Sequence, residues 1–174
     1  MNTIITVYPF CLSFQDYPTP EDWSIVVYFT GCGFYCPNCH NKDLQIFNNP
    51  QLKTKEFTLN SFIYELKQAS IIFETNKIVF SGGDPLFIRN LQSVKKILSK
   101  IKDIFDVCVY TGYNIEDIIK MDITGFKYIK CGKLVEPIRT SIKTDKYFQL
   151  ASANQDFYDS EYKKLSTDGI LQFS

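Results

Sequence analysis

The sequence lacks the features that would place the chain in or across a membrane. No apolar run in its 174 residues is long enough to cross a bilayer, and the segment from Met1 to Val7 lacks the basic start of a secretory signal peptide. We therefore expect a cytoplasmic protein. Because that compartment is reducing, its six cysteines are expected to be metal ligands or buried thiols and not disulfides.

The sequence also lacks an excess of either charge. Nineteen basic and nineteen acidic residues cancel, so there is no broad electrostatic surface for a nucleic-acid backbone or an anionic membrane. A small ligand or a protein partner is expected instead. Repeats, low-complexity tracts and linkers are absent as well, which predicts a single domain over residues 1–174, with a lead-in over about residues 1–23 and a polar tail over about residues 156–174.

What the sequence does contain is a group of three cysteines on one loop. Cys32, Cys36 and Cys39 have the spacing CxxxCxxC and follow an apolar run that ends at Phe29, and no fourth thiolate accompanies them. A structural zinc site normally has four protein ligands, whereas an iron-sulfur cluster on three thiolates keeps one metal position open for another molecule. The alternative is a Cys3His zinc site that includes His40, for which two adjacent residues would have to turn toward one ion.

Alternating strand and helix patterns predict an α/β fold. Five runs have the character of strands: Ser24 to Thr30, Lys77 to Phe80, Val107 to Thr111, Lys127 to Cys131 and Tyr147 to Ala151. Apolar residues at helical spacing lie between them, in a stripe from Leu59 to Leu66 after the N-cap candidate Thr58 and in a second stripe from Leu91 to Ile101. Because parallel neighbours need a long return connection, we expect parallel strands in an incomplete barrel, with the functional residues at the strand carboxyl ends.

A second motif follows the strand predicted at Lys77 to Phe80. The segment from Ser81 to Leu86 is Ser-Gly-Gly-Asp-Pro-Leu, which by itself is ordinary turn chemistry. Glycines also let a backbone approach a ligand closely, and a carboxylate is a suitable acceptor for a cationic amino group. Gly82, Gly83 and Asp84 are therefore candidate ligand contacts.

Together these motifs resemble those of the radical S-adenosylmethionine enzymes, and most closely the branch that activates anaerobic (class III) ribonucleoside-triphosphate reductases. The resemblance is carried in order by Phe29-Thr-Gly-Cys32, Cys36-Pro-x-Cys-His-Asn-Lys42, Ser81-Gly-Gly-Asp-Pro-Leu86, Tyr110-Thr-Gly-Tyr113, Lys130-x-Gly-Lys133 and Ser152-x-Asn-Gln155. The chain departs from the pattern at Asp16-Tyr-Pro-Thr19, where these enzymes commonly have Asp-Gly-Pro-Gly. The resemblance implies an incomplete TIM-like β/α barrel with parallel strands.

The resemblance also implies a pair of cofactors and their ligands. Cys32, Cys36 and Cys39 would hold one 4Fe-4S cluster, and S-adenosyl-L-methionine would bind at its open iron. The implied contacts of S-adenosylmethionine are Asn38, Cys39, His40, Gly82, Gly83, Asp84 and Thr111. No side chain is assigned a catalytic role of its own.

The reaction implied by the resemblance is the reductive cleavage of S-adenosylmethionine to generate a glycyl radical on the reductase. The implied partners are that reductase and an electron donor such as flavodoxin. Three alternatives stay open at this point: an activating enzyme for another glycyl radical enzyme of the pyruvate formate-lyase type, a small-molecule radical enzyme such as a 7-deazaguanine ring-forming synthase, and a non-catalytic zinc-binding module.

Overall fold

The computed structural model describes residues 3–135 and 140–174. The strands are β1 (Ile4–Val7), β2 (Cys11–Ser13), β3 (Ser24–Phe29), β4 (Thr54–Phe57), β5 (Lys77–Gly82), β6 (Asp106–Tyr110), β7 (Tyr128–Cys131), β8 (Ile142–Lys143), β9 (Tyr147–Gln149), β10 (Asp156–Asp159) and β11 (Ile170–Gln172). The helices are α1 (Leu59–Phe73), α2 (Leu91–Ile101) and α3 (Ile115–Lys120), with a short 3-10 helix at Lys42–Gln45. Within these ranges, no helix combines the length and apolar character that crossing a membrane would require.

Four parallel strands form the centre of the main sheet, in the order β3, β5, β6 and β7. Three successive residues of β3, Ile25, Val26 and Val27, are fully buried, as expected for a strand that is covered on both faces. The helices lie in the connections that return the chain between parallel neighbours. At the start of α1, the predicted N-cap Thr58 and Ser61 exchange hydrogen bonds between side chain and backbone, which forms a capping box.

The strands outside this parallel centre are antiparallel, and the sheet is open. β1 pairs with β3 and β4, while β10 pairs with β7 at the other edge. The order is β10-β7-β6-β5-β3-β1-β4, with β2 also paired to β3. The described residues therefore form a mixed α/β fold around a central parallel sheet that does not close. The incomplete TIM-like barrel is not confirmed, because the outer strands do not continue the parallel β/α repeat.

The two faces of the main sheet carry separate cores because successive strand residues point to opposite sides. The helix face includes Val27, Phe80 and Val109. The opposite face includes Val26, Val79, Cys108 and Phe157, which are covered by Tyr17 of the N-terminal segment and by Phe148 and Leu171. The last two belong to a small antiparallel sheet, β11-β9-β8. The N-terminal and C-terminal segments thus cover the face that the helices leave free.

The predicted central strands and both predicted helices are confirmed, and the flanking segments contain further strands that were not predicted. The lead-in contains β1 and β2, and the polar tail contains β10 and β11. The strand predicted at Tyr147 to Ala151 exists as β9, but it belongs to the small antiparallel sheet. Strands of three or four residues with polar members carry too short an alternation to be recognised, and tertiary pairing stabilises them.

Candidate functional site

The cysteine loop follows β3 at the carboxyl end of the parallel strands. Two backbone hydrogen bonds attach the start of the loop to the 3-10 helix: the Gly31 N–H donates to the Leu44 carbonyl (2.7 Å) and the Cys32 N–H donates to the Gln45 carbonyl (3.0 Å). Gly31 has a φ of +95°, and a Cβ at this position would lie 2.5 Å from the ring of Phe87. Only glycine suits this point of the loop.

The sulfurs of Cys32 and Cys39 accept backbone hydrogen bonds. The Phe34 N–H donates to Cys32 Sγ and the Asn41 N–H donates to Cys39 Sγ, both at 3.4 Å. Cys32 is buried, whereas Cys36 and Cys39 are partly exposed. Burial raises the pKa of the Cys32 thiol although the Phe34 N–H opposes this. A metal that binds there would therefore displace a proton.

The second motif packs directly against the cysteine loop. The Gly83 N–H donates to the Phe29 carbonyl (2.9 Å), and the Asp84 N–H donates to the Gly31 carbonyl (2.8 Å). A Cβ on Gly82 would lie 2.2 Å from the Phe29 carbonyl oxygen, and a Cβ on Gly83 would lie 2.5 Å from that of Gly31. The contact between the two loops thus requires both glycines. The close approach of Gly82 and Gly83 to a ligand remains a prediction.

The Asp84 carboxylate joins the second motif to the carboxyl end of β6. Asp84 is buried and accepts hydrogen bonds from the N–H groups of Leu86 and Gly112, both at 2.8 Å. The Thr111 hydroxyl oxygen lies 3.0 Å from Oδ1 and 2.9 Å from Oδ2. Burial raises the pKa of Asp84, while these donors act in the opposite direction. Both carboxylate oxygens already have protein partners, so any contact with a ligand would be added to this set.

One cavity of about 360 Å³ brings together nearly all the site residues predicted from the sequence. Its walls include Cys32, Cys36, Cys39, His40, Gly82, Gly83, Asp84 and Thr111. Asn38 lies instead in an adjoining cavity of about 300 Å³, together with Pro37 and Val135. A larger cavity of about 570 Å³ beside β4 and the start of α1 contains none of these residues. The site is therefore at the strand carboxyl ends, where α/β proteins usually bind ligands.

The cavity also contains residues that the sequence analysis did not name as ligand contacts. Asp16 reaches it from the N-terminal segment, whose position is held by a hydrogen bond from the Tyr110 hydroxyl to the Asp16 carbonyl (2.6 Å). Lys130 reaches it from β7. The neighbours of Lys130, Ile129 and Cys131, belong to the core on the helix face. Strand alternation therefore places Lys130 on the cavity side, and this period-two pattern is the signal that could have identified it.

The described residues do not assemble a site for a single metal ion. Among them, no three His, Cys, Asp or Glu side chains are positioned to hold one ion. A zinc site would need the three cysteines and His40 around a single point. In a 4Fe-4S cube each thiolate binds a different iron, so the sulfurs need not converge on one atom. Three thiols along one cavity wall, two of them with N–H donors to sulfur, fit this second requirement.

Comparison with protein families agrees with this set of sulfur donors. Residues 22–164 match the family described as a 4Fe-4S single cluster domain. This range contains the three cysteines, the second motif and Thr111, and it covers most of the chain. The chain therefore belongs to the 4Fe-4S single cluster domain family. The description of the family supports an iron-sulfur cofactor.

Several curated relatives have a more specific name, anaerobic ribonucleoside-triphosphate reductase-activating protein. The protein of Enterobacteria phage T4 is 31% identical to this chain over 108 residues, which is 60% of this chain and 65% of that protein. The protein of Escherichia coli (strain K12) is 30% identical over 95 residues, which is 53% of this chain and 60% of that protein. The protein of Haemophilus influenzae is 26% identical over 122 residues, with coverages of 66% and 77%. The chain thus spans 60 to 65% of the length of the first two relatives.

Proposed function

We propose that this protein is an activating enzyme of an anaerobic ribonucleoside-triphosphate reductase. In this proposal it holds a 4Fe-4S cluster and S-adenosylmethionine, and it generates a glycyl radical on the reductase. The observation that carries the proposal is the single cavity lined by the three CxxxCxxC thiols and by the Gly-Gly-Asp turn. The names of the relatives point to the same partner. The open sheet is, on this proposal, an incomplete TIM-like barrel of the radical S-adenosylmethionine type.

The residues of this cavity, together with Asn38 of the adjoining cavity, have two roles in this proposal. Cys32, Cys36 and Cys39 hold the cluster and leave one iron without a protein ligand. Asn38, Cys39, His40, Gly82, Gly83, Asp84 and Thr111 form the surroundings of S-adenosylmethionine. When bound, the two cofactors supply a one-electron reductive cleavage of the sulfonium. The hydrogen atom removed from the Cα of the reductase glycine ends on 5'-deoxyadenosine, and methionine is the second product.

The surface beside the cysteine loop is consistent with large partners. Cys36 and Cys39 are partly exposed, and Tyr35 between the cluster ligands is 68% exposed. A cluster at this position lies near the protein surface, where an external one-electron donor such as reduced flavodoxin can approach it. Iron-sulfur potentials reach roughly −700 mV in favourable surroundings, which suits a demanding reduction. The proposal also includes flavodoxin as the electron donor, the anaerobic reductase as the partner and a cytoplasmic location.

The first experiment tests the chemistry of the cofactors. Anaerobically reconstituted protein is mixed with S-adenosylmethionine and dithionite, and the products are separated chromatographically. We expect methionine and 5'-deoxyadenosine in equal amounts, with neither formed by Cys36→Ala. Iron-loaded protein that forms no 5'-deoxyadenosine would contradict the assignment to radical S-adenosylmethionine chemistry.

A second experiment tests the partner. An anaerobic ribonucleoside-triphosphate reductase is added to the reaction, and electron paramagnetic resonance is recorded. We expect the doublet of a glycyl radical, which is lost when the glycine is replaced by alanine. Formation of 5'-deoxyadenosine without a radical on the reductase, but with a radical on a pyruvate formate-lyase type enzyme, would assign a different partner.

A further inference from the structure

Lys143 is a buried cation that holds both ends of one loop. It is 6% exposed and belongs to β8 of the small antiparallel sheet. Its ammonium donates to the Phe14 carbonyl (2.8 Å) and to the Asp22 carbonyl (3.3 Å), and Nζ lies 4.5 Å from the centroid of the Phe14 ring. One side chain of the C-terminal part of the chain therefore closes the loop of residues 14–22.

The surroundings of Lys143 make its charge depend on this loop. Burial lowers the pKa of Lys143 to about 8, while the Asp22 and Asp16 carboxylates act in the opposite direction. Within the described ranges, neither carboxylate forms an ion pair with Lys143. A buried ammonium without an anionic partner is costly unless other acceptors compensate it. The two loop carbonyls are such acceptors, so the ammonium and the closed loop stabilise each other.

The loop carries Asp16 to the wall of the cavity of about 360 Å³. Tyr17, the next residue, is fully buried in the core on the face that the helices leave free. The Tyr110 hydroxyl donates to the Asp16 carbonyl (2.6 Å), and the Ser13 hydroxyl donates to Oδ2 of the Asp16 carboxylate. Among the described residues, no donor contacts Oδ1. Asp16 therefore has an acceptor oxygen available at the cavity.

We propose that Lys143 is a positioning residue for ligand binding: by closing the loop of residues 14–22, it holds Asp16 where the carboxylate accepts a hydrogen bond from the ligand. This inference rests on the proposed function, which supplies S-adenosylmethionine as the ligand. The amino group and the ribose hydroxyls of that ligand are donors that suit a carboxylate. Lys143 does not line the cavity itself, so its effect on the ligand passes through the loop.

The test is a double-mutant cycle on ligand binding. The dissociation constant of S-adenosylmethionine is measured by anaerobic equilibrium dialysis on protein with an oxidised cluster, for the wild type, Lys143→Met, Asp16→Ala and the double variant. Lys143→Met keeps the apolar stem without the charge, and Lys143→Arg keeps the charge. Lys95→Met is the matched control because the Lys95 ammonium also donates to a backbone carbonyl, that of Met121 (2.9 Å), but lies on α2.

We expect Asp16→Ala to weaken the binding of S-adenosylmethionine by about tenfold to a hundredfold, the usual effect of losing a hydrogen bond to a charged group. Lys143→Met should weaken it by about threefold to tenfold, because a displaced loop loses part of that contact. In the double variant the loss should equal that of Asp16→Ala alone, since no contact is left to position. Lys143→Arg should restore most of the affinity, and Lys95→Met should leave it unchanged.

Thermal unfolding of the same proteins separates positioning from a general loss of stability. Lys143→Met is expected to lower the unfolding temperature by the same amount with and without the Asp16 side chain, whereas its effect on binding should disappear in the double variant. If Lys143→Met does not fold, Lys143→Gln replaces it with the same expectations.

Three results would overturn the inference while leaving the proposed function intact. In the first, Lys143→Met binds S-adenosylmethionine as tightly as the wild type. In the second, Asp16→Ala does so. In the third, the losses of the two single variants multiply in the double variant, which would mean that Lys143 does not act through Asp16. Wild-type protein that contains a cluster but binds no S-adenosylmethionine would overturn both proposals.

Discussion

The two ends of the same parallel strands treat charged side chains differently. At the amino end, the Asp106 carboxylate forms ion pairs with Lys77 and Lys127 and so connects β5, β6 and the start of β7. At the carboxyl end, Asp84 accepts hydrogen bonds from uncharged donors only, and Lys130 has no anionic partner among the described residues. The protein neutralises its own charges at one end and leaves donors available to a ligand at the other.

The pKa shifts of the two aspartates reflect this difference. Burial raises the pKa of Asp106, but the hydrogen bonds from Lys77 and Lys127 outweigh that effect, so the pKa is lowered. Burial raises the pKa of Asp84, which is more deeply buried than Asp106, and the hydrogen bonds that its carboxylate accepts oppose this shift without reversing it. We expect the amino end to contribute mainly to stability and the carboxyl end, on the proposed function, to contribute to ligand binding. Three substitutions test this division.

The largest expected effect is the loss of the cluster from the carboxyl end. Cys36→Ala removes one of three thiolates, and we expect the reconstituted variant to lose its bound iron and the visible absorbance of the cluster. The thermal unfolding of the metal-free protein should be nearly unchanged, because Cys36 is partly exposed. Cys11→Ala is the control, since Cys11 is an exposed residue of β2. A Cys36→Ala protein with a full complement of iron, beside an iron-free Cys11→Ala protein, would refute the choice of ligands.

The next prediction compares two glycines at the carboxyl end, one packed against backbone atoms and one with open space around it. A Cβ on Gly83 would lie 2.4 Å from the Leu44 carbonyl oxygen, whereas a Cβ on Gly33 would have no heavy atom within 4 Å. Gly83→Ala is therefore expected to lower the free energy of unfolding by about 2 kcal/mol or more, since backbone atoms must move. Gly33→Ala should change it by less than about 0.5 kcal/mol. Denaturant titration of both variants measures the difference, and equal effects would show that the second motif tolerates a side chain at Gly83.

The smallest effect belongs to the amino end and depends on pH. The pKa of Asp106 is lowered from 3.8 in the folded protein, so its contribution to stability is present above that ordinary value and is lost as the pH falls through the folded value. Asp106→Asn should lower the free energy of unfolding by about 1 kcal/mol near neutral pH, as partly exposed ion pairs do. The difference from the wild type should shrink as the pH falls below 3.8.

Urea titrations of Asp106→Asn and the wild type at several pH values measure this difference. The dissociation constant of S-adenosylmethionine serves as the control, since it should be unchanged in this variant. A difference in stability that does not depend on pH would mean that the ion pairs are not its source. Weaker binding of S-adenosylmethionine by Asp106→Asn would contradict the view that the two ends have separate roles.

The parallel centre of the fold could be predicted because its strands are continuous apolar runs and because α2 has a one-sided apolar stripe. The cysteine loop and the second motif could be predicted because they are short and follow such strands. The role of Asp84 could not be predicted in full, since its donors Leu86 and Gly112 come from two different loops. The sequence also did not predict that Tyr17 and Phe148 cover the second face of the sheet, because neither residue belongs to a long periodic segment.

By itself the sequence determined which strands are central and that three cysteines with the spacing CxxxCxxC share one loop, because both properties depend on the order and spacing of neighbouring residues. Only the tertiary structure decided that the second motif packs on the cysteine loop and that Lys130 lies in the same cavity. The reason is physical: β3 and β7 are about 100 residues apart in the chain, and parallel pairing through β5 and β6 brings their ends to one edge of the sheet. Side-chain direction at that edge then determines which side chains line the cavity.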